Sequence, residues 1–317
     1  MPGPTLPPIR QLRPDAHGWA FYLCAAKEIR PGKNGEFLSL TLQDATGRIT
    51  GRVFDDVEHQ KGEFEAGEFV KAQGRTNMYN GRLQVVVDRI RRVHPQQDRP
   101  DGFREEELVM SAPRPLDEMW DELQAVIRGV ADPHVRALLE RIAAAHEAKL
   151  RVWPAAQLIH HAYRGGFLEH ILQIARVGTM LADAYQVNRD IVIAGAMLHD
   201  IGKLQELSYD TATSYSREGN LIGHIALGLV MVREASAEIP GFPDELRAQI
   251  EHIVVSHHGS VEFGSPVEPM TIEAFILSMA DDLDAKINQI RQHLAEDTGD
   301  GEFTGYHHRL GRVFYKG

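Results

Sequence analysis

The chain is almost without cysteine: among 317 residues there is one, Cys24. An internal disulfide and a zinc site built from several thiolates are therefore excluded. Cys24 falls in a stretch of strand character, where a small buried hydrophobe is its expected role. Long apolar runs are missing too, and none approaches the ~18 residues that a membrane span needs. The opening MPGPTLPPIRQLRPD has no apolar core of signal-peptide length. The expectation is a cytoplasmic protein with no membrane partner. Internal repeats and low-complexity segments are absent, and no serine or cysteine stands out as a nucleophile.

Positive charge is scarce overall, with 34 Lys and Arg against 45 Asp and Glu and a net charge of −11. Taken alone, that argues against a nucleic-acid partner. The deficit is uneven, however. Residues 1–95 carry 14 basic and 11 acidic side chains, a balance of +3, and the remainder carries 20 against 34, a balance of −14. A mildly basic front and an acidic back suit different tasks, and bound cations would offset part of the acidity.

What the chain has in quantity is histidine, sixteen in all, eight of them between His160 and His258. Histidine is a leading metal ligand and proton carrier, so the clustering directs attention to that region.

Residues 17–95 read as β-structure. Leu38, Leu40 and Leu42 alternate with polar residues in EFLSLTLQD, the period of a half-buried strand. Turn signals follow at Asn34-Gly35, Asp44-Ala45-Thr46-Gly47 and Asn80-Gly81. RITGRVF, EFVKAQGRT and RLQVVVDRI complete about five short strands, which suits a small barrel of the OB type. Residues 94–103 are a polar, Pro- and Gly-containing stretch, and helical spacing begins after residue 104. From about 155 to 293, helix follows helix. The expected organisation is an extension at 1–16, an OB-type barrel at 17–95, a linker with connecting helices at 96–150, an all-α domain at 151–295 and a tail at 296–317. The fold class is thus multidomain α and β, a small barrel followed by a helical domain.

Chemistry concentrates in five fragments: GGFLEH, AGAMLHDIGK, GNLIGH, VVSHHG and MADDLDAK. His199 and Asp200 follow the apolar run IVIAGAML. Such a pair at the end of a buried helix is costly unless it is paired or metal-bound. Lys203, one turn on, can point into the same cleft. His170 sits in an otherwise apolar helix, and Asp281, Asp284 and Asn288 form one polar stripe on another. His257 and His258 precede Gly259, a helix-capping glycine. Any one histidine in an apolar helix is ordinarily a hydrogen-bonded core residue. The ordered set His, His-Asp, His, His-His, Asp within about 110 residues of one helical array points instead to a metal site. Mixed nitrogen and oxygen donors suit a catalytic divalent cation better than a structural zinc knot.

His170, His199-Asp200 and Asp281 resemble the ligands of the HD phosphohydrolase superfamily, and His224, His257 and His258 resemble the added ligands of its dinuclear members. More closely, HHAYRGGFLEH, RDIVIAGAMLHDIGK, GNLIGHIALG, SHHGSVEFGSPVEPMTIEA and DDLDAK look like the YhaM family of 3′→5′ exoribonucleases, which also place an OB domain first. The likeness spans roughly residues 17–293 and is most specific from 160 to 286.

The resemblance implies two divalent cations. His170, His199, Asp200 and Asp281 would hold one; His224, His257 and His258 would hold the other, with Asp200 as bridge. Mn²⁺ is the expected ion, with Fe²⁺, Co²⁺, Ni²⁺, Zn²⁺ and Mg²⁺ compatible with the same donors. It also implies hydrolysis of single-stranded RNA, and of single-stranded DNA, to nucleoside 5′-monophosphates by a metal-activated hydroxide. Asp200, His199 and Lys203 would be the catalytic groups. The competing reading is an HD phosphodiesterase acting on nucleotides or cyclic dinucleotides. A strand-binding barrel argues against it, because a diffusing nucleotide needs none.

Substrate contacts are expected from His160 and His161 near the centre, and Asp284 is expected either against substrate or behind a ligand. On the barrel, stacking and charge are expected from Phe37, Phe54 and Tyr79 with Lys33, Arg48, Arg52, Lys71, Arg75 and Arg82, since single-strand binders pair aromatic platforms with basic groups. The aromatic tail (Phe303, Tyr306, Phe314, Tyr315) suggests a homo-oligomer.

Overall fold

The structure, a computed structural model, describes residues 4–32, 35–155, 163–209, 213–297 and 299–317. It divides into two compact units. The first runs to Ser111, and the second comprises Ala112–Ser208 and Ser214–Gly317.

The first unit is a five-stranded barrel built from β1 (His17–Gly32), β2 (Gly35–Asp44), β3 (Gly47–Val53), β4 (Phe69–Tyr79) and β5 (Arg82–Arg92), with a single-turn helix α1 (Val57–Gln60) between β3 and β4. The barrel closes in the order β1-β2-β3-β5-β4. Only β3 and β5 run parallel. This is the OB fold expected from the strand count. The alternation of Leu38, Leu40 and Leu42 puts all three inside, with Tyr22, Cys24, Val53, Phe64, Val70 and Val85. Cys24 is fully buried, as its setting predicted, and burial pushes its thiol up to about 12. The β4–β5 turn uses Asn80 and Gly81, both at positive φ, the conformation that a tight hairpin demands. At the β2–β3 turn Asp44 Oδ1 accepts from Thr46 N and Gly47 N, at 2.7 and 3.1 Å.

The segments flanking the barrel belong to it. Leu6 N donates to Trp19 O, and Trp19 N donates to Pro4 O. After β5 a short helix α2 (Pro95–Asp98) brings Asp98 onto Lys71 and Arg91. Phe103 and Leu108 then pack with Val93 against Phe21 and Phe69. The stretch expected as linker and connecting helices, 96–150, therefore divides at residues 111/112: its polar start is ion-paired to the first unit, and its helices belong to the second.

The second unit contains α3 (Leu116–Arg128), α4 (Pro133–Leu150), α5 (Gly166–Tyr185), α6 (Arg189–Leu198), α7 (Lys203–Glu206), α8 (Arg217–Ile222), α9 (His224–Ala237), α10 (Asp244–Ser256) and α11 (Ile272–Glu296). From Ile191 to Leu198 every residue of α6 is buried, because α5, α10, α11 and α4 surround it. Gly178 and Gly195 let this packing close, since a Cβ at Gly178 would lie 2.8 Å from Val192 and one at Gly195 3.0 Å from Ile253. Among the described residues no helix is long and apolar enough to cross a membrane. The tail forms two isolated bridges, Phe303 with Tyr315 and His307 with Arg312.

Candidate metal centre

Five histidines and two aspartates converge in the second unit. His170 is on α5, buried on its inner face; His199 caps α6 and Asp200 follows it; His224 opens α9; His257 caps α10 and His258 follows; Asp281 is on α11. Helix ends supply five of the seven residues. A residue just beyond a helix end escapes the 100° rotation between neighbours, so the adjacent side chains of His199-Asp200 and His257-His258 can face the same point.

The donors fall into two groups, each with one ligand atom per residue within 4.8 Å of the others: His170, His199 and Asp281, and His224, His257 and His258. Asp200 stands between them. Its Oδ2 lies 3.4 Å from His199 Nε2 and 3.8 Å from His170 Nε2, whereas its Oδ1 lies 3.4 Å from both His224 Nε2 and His257 Nε2. His170 Nε2 is also 3.3 Å from Asp281 Oδ1.

The tautomers follow from the opposite ring nitrogens. His199 Nδ1 donates to the carbonyls of Gly195 and Ala196, at 3.1 Å each; His257 Nδ1 to Val254 O at 2.8 Å; and His258 Nδ1 to Phe263 O at 2.9 Å. A carbonyl can only accept, so the proton is on Nδ1 and the Nε2 lone pair faces the centre. His224 Nδ1 donates to Glu206, and His170 Nδ1 to Asp284 at 2.8 Å. Among the described residues, the inward Nε2 atoms of His199, His224 and His257, and Asp200 Oδ1, are buried without a hydrogen-bond partner. Lone pairs and a carboxylate turned on one another in a buried place repel unless positive charge lies between them. The residues present therefore fit divalent cations, and histidines with the far nitrogen anchored are the usual form of such ligands.

Burial opposes ionisation of Asp200, but Lys203 and His199 outweigh it and hold the carboxyl well below the usual range. Asp281 is likewise depressed against its burial, chiefly by His170 and His199. Lys203 Nζ sits 2.5 Å from Asp200 Oδ2 and keeps its proton more tightly than an ordinary lysine, Asp200 overcoming the effect of burial. Burial, then His257, pushes His258 down to about 4, so it is neutral and able to ligate at neutral pH.

The seven residues expected as ligands are thus brought together, with Lys203 beside them. Asp284, expected either behind a ligand or against substrate, is 9% exposed and lies behind His170, its carboxylate on the ring Nδ1. His160 and His161 lie outside the described residues, as does Lys33. Glu206 is a participant that the sequence reading missed. It sits on the one-turn α7, with no periodicity to mark it. Its indirect signal is Gly219, where a Cβ would fall 2.1 Å from the Glu206 carbonyl oxygen.

On the barrel, Phe37 and Phe54 pack with ring centroids 5.4 Å apart, and the Arg52 guanidinium stacks 5.3 Å from the Phe37 centroid. Phe54 is 53% exposed and Tyr79 63% exposed. Arg52 pairs across the sheet with Val86, and Val86 with Arg75, so the two arginines flank one outward row. Lys71 departs from expectation: it is largely buried in ion pairs with Asp98 and Asp101 rather than open to a strand.

Comparison with known proteins places both halves. Residues 167–286 match the HD domain, and residues 25–93 match an OB-fold nucleic acid binding domain. Among curated relatives, the 3′-5′ exoribonuclease YhaM of Bacillus subtilis (strain 168) is 35% identical over 286 residues, covering 89% of this chain and 89% of that protein. The protein of the same name from Listeria innocua is 34% identical over 273 residues, covering 86% and 85%. That of Shouchella clausii is 33% identical over 301 residues, covering 94% and 92%.

Proposed function

The chain belongs to the family of the 3′-5′ exoribonuclease YhaM, and from that membership we propose that it is a metal-dependent 3′→5′ exonuclease that degrades single-stranded RNA to nucleoside 5′-monophosphates, with single-stranded DNA as a second polymer. One observation carries the reading: Asp200 turns one carboxylate oxygen to each of two separate groups of inward-facing donors. A site for one structural cation needs no such divided carboxylate.

His170, His199 and Asp281 with Asp200 Oδ2 would hold one divalent cation, and His224, His257 and His258 with Asp200 Oδ1 a second, Mn²⁺ being our assignment. Bound there, the pair supplies a water acidic enough to ionise near neutral pH and positive charge against the phosphoryl oxygens. The chain's own contribution is positional. The Nδ1 anchors keep each imidazole in the ligating tautomer. Lys203, which retains its proton, adds fixed positive charge where negative charge grows during in-line displacement. It is a stabiliser rather than a base.

The barrel's part is to hold the strand. Phe37, Phe54 and Tyr79 offer faces on which bases stack without sequence preference, and Arg52 and Arg75 offer charge to the backbone.

The test uses 5′-labelled single-stranded RNA with Mn²⁺ and a gel resolving single nucleotides, comparing wild type with Asp200→Ala and with EDTA, and a parallel DNA arm. A ladder shortening from the 3′ end, lost in the variant and with EDTA, is the expected result. Intact RNA in wild type with metal present would overturn the reading.

A further inference from the structure

Helix α11 has two faces of opposite character. On the inner one, Asp281 and Asp284 meet the two ring nitrogens of His170. The outer one carries Ile272, Phe275, Met279, Leu283 and Ile287, between 38% and 62% exposed, and the half-buried Ile290. At 100° per residue these six side chains fall within an arc of about 120° centred opposite Asp281, forming one stripe about 27 Å long. A lone soluble chain rarely leaves so long an apolar surface to water.

The order of the residues says what fits the stripe. Counted from position 281 it reads alike in both directions: Met279 and Leu283 stand two residues away, Phe275 and Ile287 six, Ile272 and Ile290 nine. A second α11 laid antiparallel, with a two-fold axis through that point, sets each apolar side chain level with another apolar one. Charge follows the same plan. Glu273 and Arg291 are eighteen residues apart, about five full turns, and so share one flank. The two-fold axis keeps that flank against itself and brings Glu273 beside the partner's Arg291. Arg291 is exposed and, among the described residues, has no ion pair. Lys286 and Asp282, on the other flank, neutralise one another at 2.5 Å, so they put no isolated charge beside the seam.

Exposed apolar side chains also stand at both ends of the helix. Phe263 and Met270 precede its start. The tail docks at its end, where His293 Nε2 donates to Gly305 O at 2.8 Å and the His293 ring meets those of His307 and Phe314. Phe303, Tyr306 and Tyr315 are exposed on that tail. Antiparallel pairing lays the start of one helix beside the end of the other, so these two sets come together. The stripe supplies roughly half of the ~800 Å² per partner that a stable interface buries, and the end sets add to it.

We propose that the outer face of α11 is a dimerisation surface whose occupant is the α11 of a second copy of this chain, antiparallel and with Glu273 on the partner's Arg291. The pairing does not depend on the catalytic reading, since it uses the face of α11 that points away from the donors.

The experiment is sedimentation velocity of the full chain at micromolar concentration, with a cross-linking arm. Phe275→Glu places a charge in the stripe at a side chain already exposed. Phe275→Cys and Ile287→Cys are made separately and treated with a short bismaleimide, alone and mixed; the native Cys24 is buried and silent. The proposed pairing puts Phe275 level with Ile287 of the partner subunit, whereas two copies of either position lie about 18 Å apart along the helices. Wild type at twice the chain's 35.5 kDa or more, Phe275→Glu at half the wild-type mass or less, and cross-links that form chiefly in the mixture are the expected results. A monomeric wild type would overturn the proposal, as would an assembly unchanged in a folded Phe275→Glu, or cross-linking as strong in each single variant as in the mixture. If Phe275→Glu does not fold, the cross-linking arm decides alone. No cleavage is read, so failure here leaves the exonuclease reading untouched.

Discussion

Glu206 holds His224 at two points: the backbone N–H and the ring Nδ1 of His224 both donate to Glu206 Oε1, each at 3.0 Å. The carboxylate is itself depressed in pKa, burial being outweighed by these bonds from His224. Glu206 thus fixes where α9 begins and which way its first imidazole faces. Glu206→Ala is expected to weaken the cation held by His224, His257 and His258 by about 10–100-fold while leaving the other unchanged, and Glu206→Gln is expected to restore part of the loss. Titration of metal-free protein with Mn²⁺, read by electron paramagnetic resonance, resolves the two sites. Equal weakening of both would contradict the separate role of Glu206.

Asp200 and Lys203 can be separated by the same logic. Asp200→Asn keeps the shape but removes the charge facing both groups, so metal content is expected to fall from two per chain to at most one, with activity on RNA down at least about 10³-fold. Lys203→Met leaves every donor in place. Two metals should remain bound, with kcat down about 10²-fold, the usual effect of losing one group that stabilises transition-state charge. Metal analysis beside kcat decides the matter; loss of metal in Lys203→Met would make Lys203 a structural counter-ion of Asp200 instead.

The strand-holding role of the barrel predicts a different kinetic signature. Phe54→Ala removes an exposed ring whose loss exposes no core. Stacking on one base contributes about 1–3 kcal/mol, so KM for single-stranded RNA should rise about 5-fold or more, with kcat and metal content unchanged. Arg52→Ala should act in the same direction and flatten the salt dependence of binding. A fall in kcat at constant KM would move these residues out of the binding role.

Much of this arrangement was legible in the sequence, and the reason is local. The period-two leucines of β2, the Asn80-Gly81 turn and the capping glycine after His257-His258 are short-range signals, and each met its expected structure. The ligands were legible because a polar residue in an apolar helix needs an explanation. What stayed hidden depends on partners distant in sequence. Lys71 looked like an open strand-binding cation until Asp98, 27 residues on, closed over it. Asp284 shares a helix face with Asp281, yet only the fold shows them on opposite nitrogens of one imidazole. The segment after β5 read as linker because its polar composition hid an ion pair and two buried apolar residues, Phe103 and Leu108.

Asp98 gives that segment a pH signature. Its carboxylate is 1% exposed and held below the usual range, first by Arg91, against burial, and also by the His94 N–H and Lys71. A depressed carboxyl contributes stability that is present above the ordinary aspartate value near 4 and lost as pH falls towards its folded value. Acid unfolding of the barrel unit should therefore begin below about pH 4. Asp98→Asn should remove that pH dependence and cost about 2–4 kcal/mol at pH 7 by stranding Lys71 and Arg91. Urea denaturation followed by Trp19 fluorescence at pH 7 and pH 3.5, in proteins with the other two tryptophans replaced by phenylalanine, measures both. Equal stability of variant and wild type at pH 7 would mean that water replaces the carboxylate without loss.

Gly202, two residues after Asp200, tests how tightly the centre is framed. Its backbone is ordinary, with φ of −62°, so alanine suffers no conformational strain there. Space is what is missing: a Cβ would lie 2.0 Å from His224 O and 2.5 Å from Gly228 N. Both are backbone atoms of α9 and cannot yield as a flexible side chain would, so the helix must shift and carry His224 with it. Gly202→Ala is expected to cost about 1–3 kcal/mol or more by overpacking and to empty the His224 group of metal. Gly223→Ala is the control for conformation without crowding. Gly223 has φ of 79° and ψ of 157°, a region only glycine adopts readily, and nothing within 4 Å of a Cβ, so its penalty is backbone strain alone, about 1–3 kcal/mol. Melting temperature with metal content separates the two. Full metal occupancy in Gly202→Ala would show that α9 can move without disturbing its first histidine, and would weaken the case that Gly202 sets the distance between Asp200 and His224.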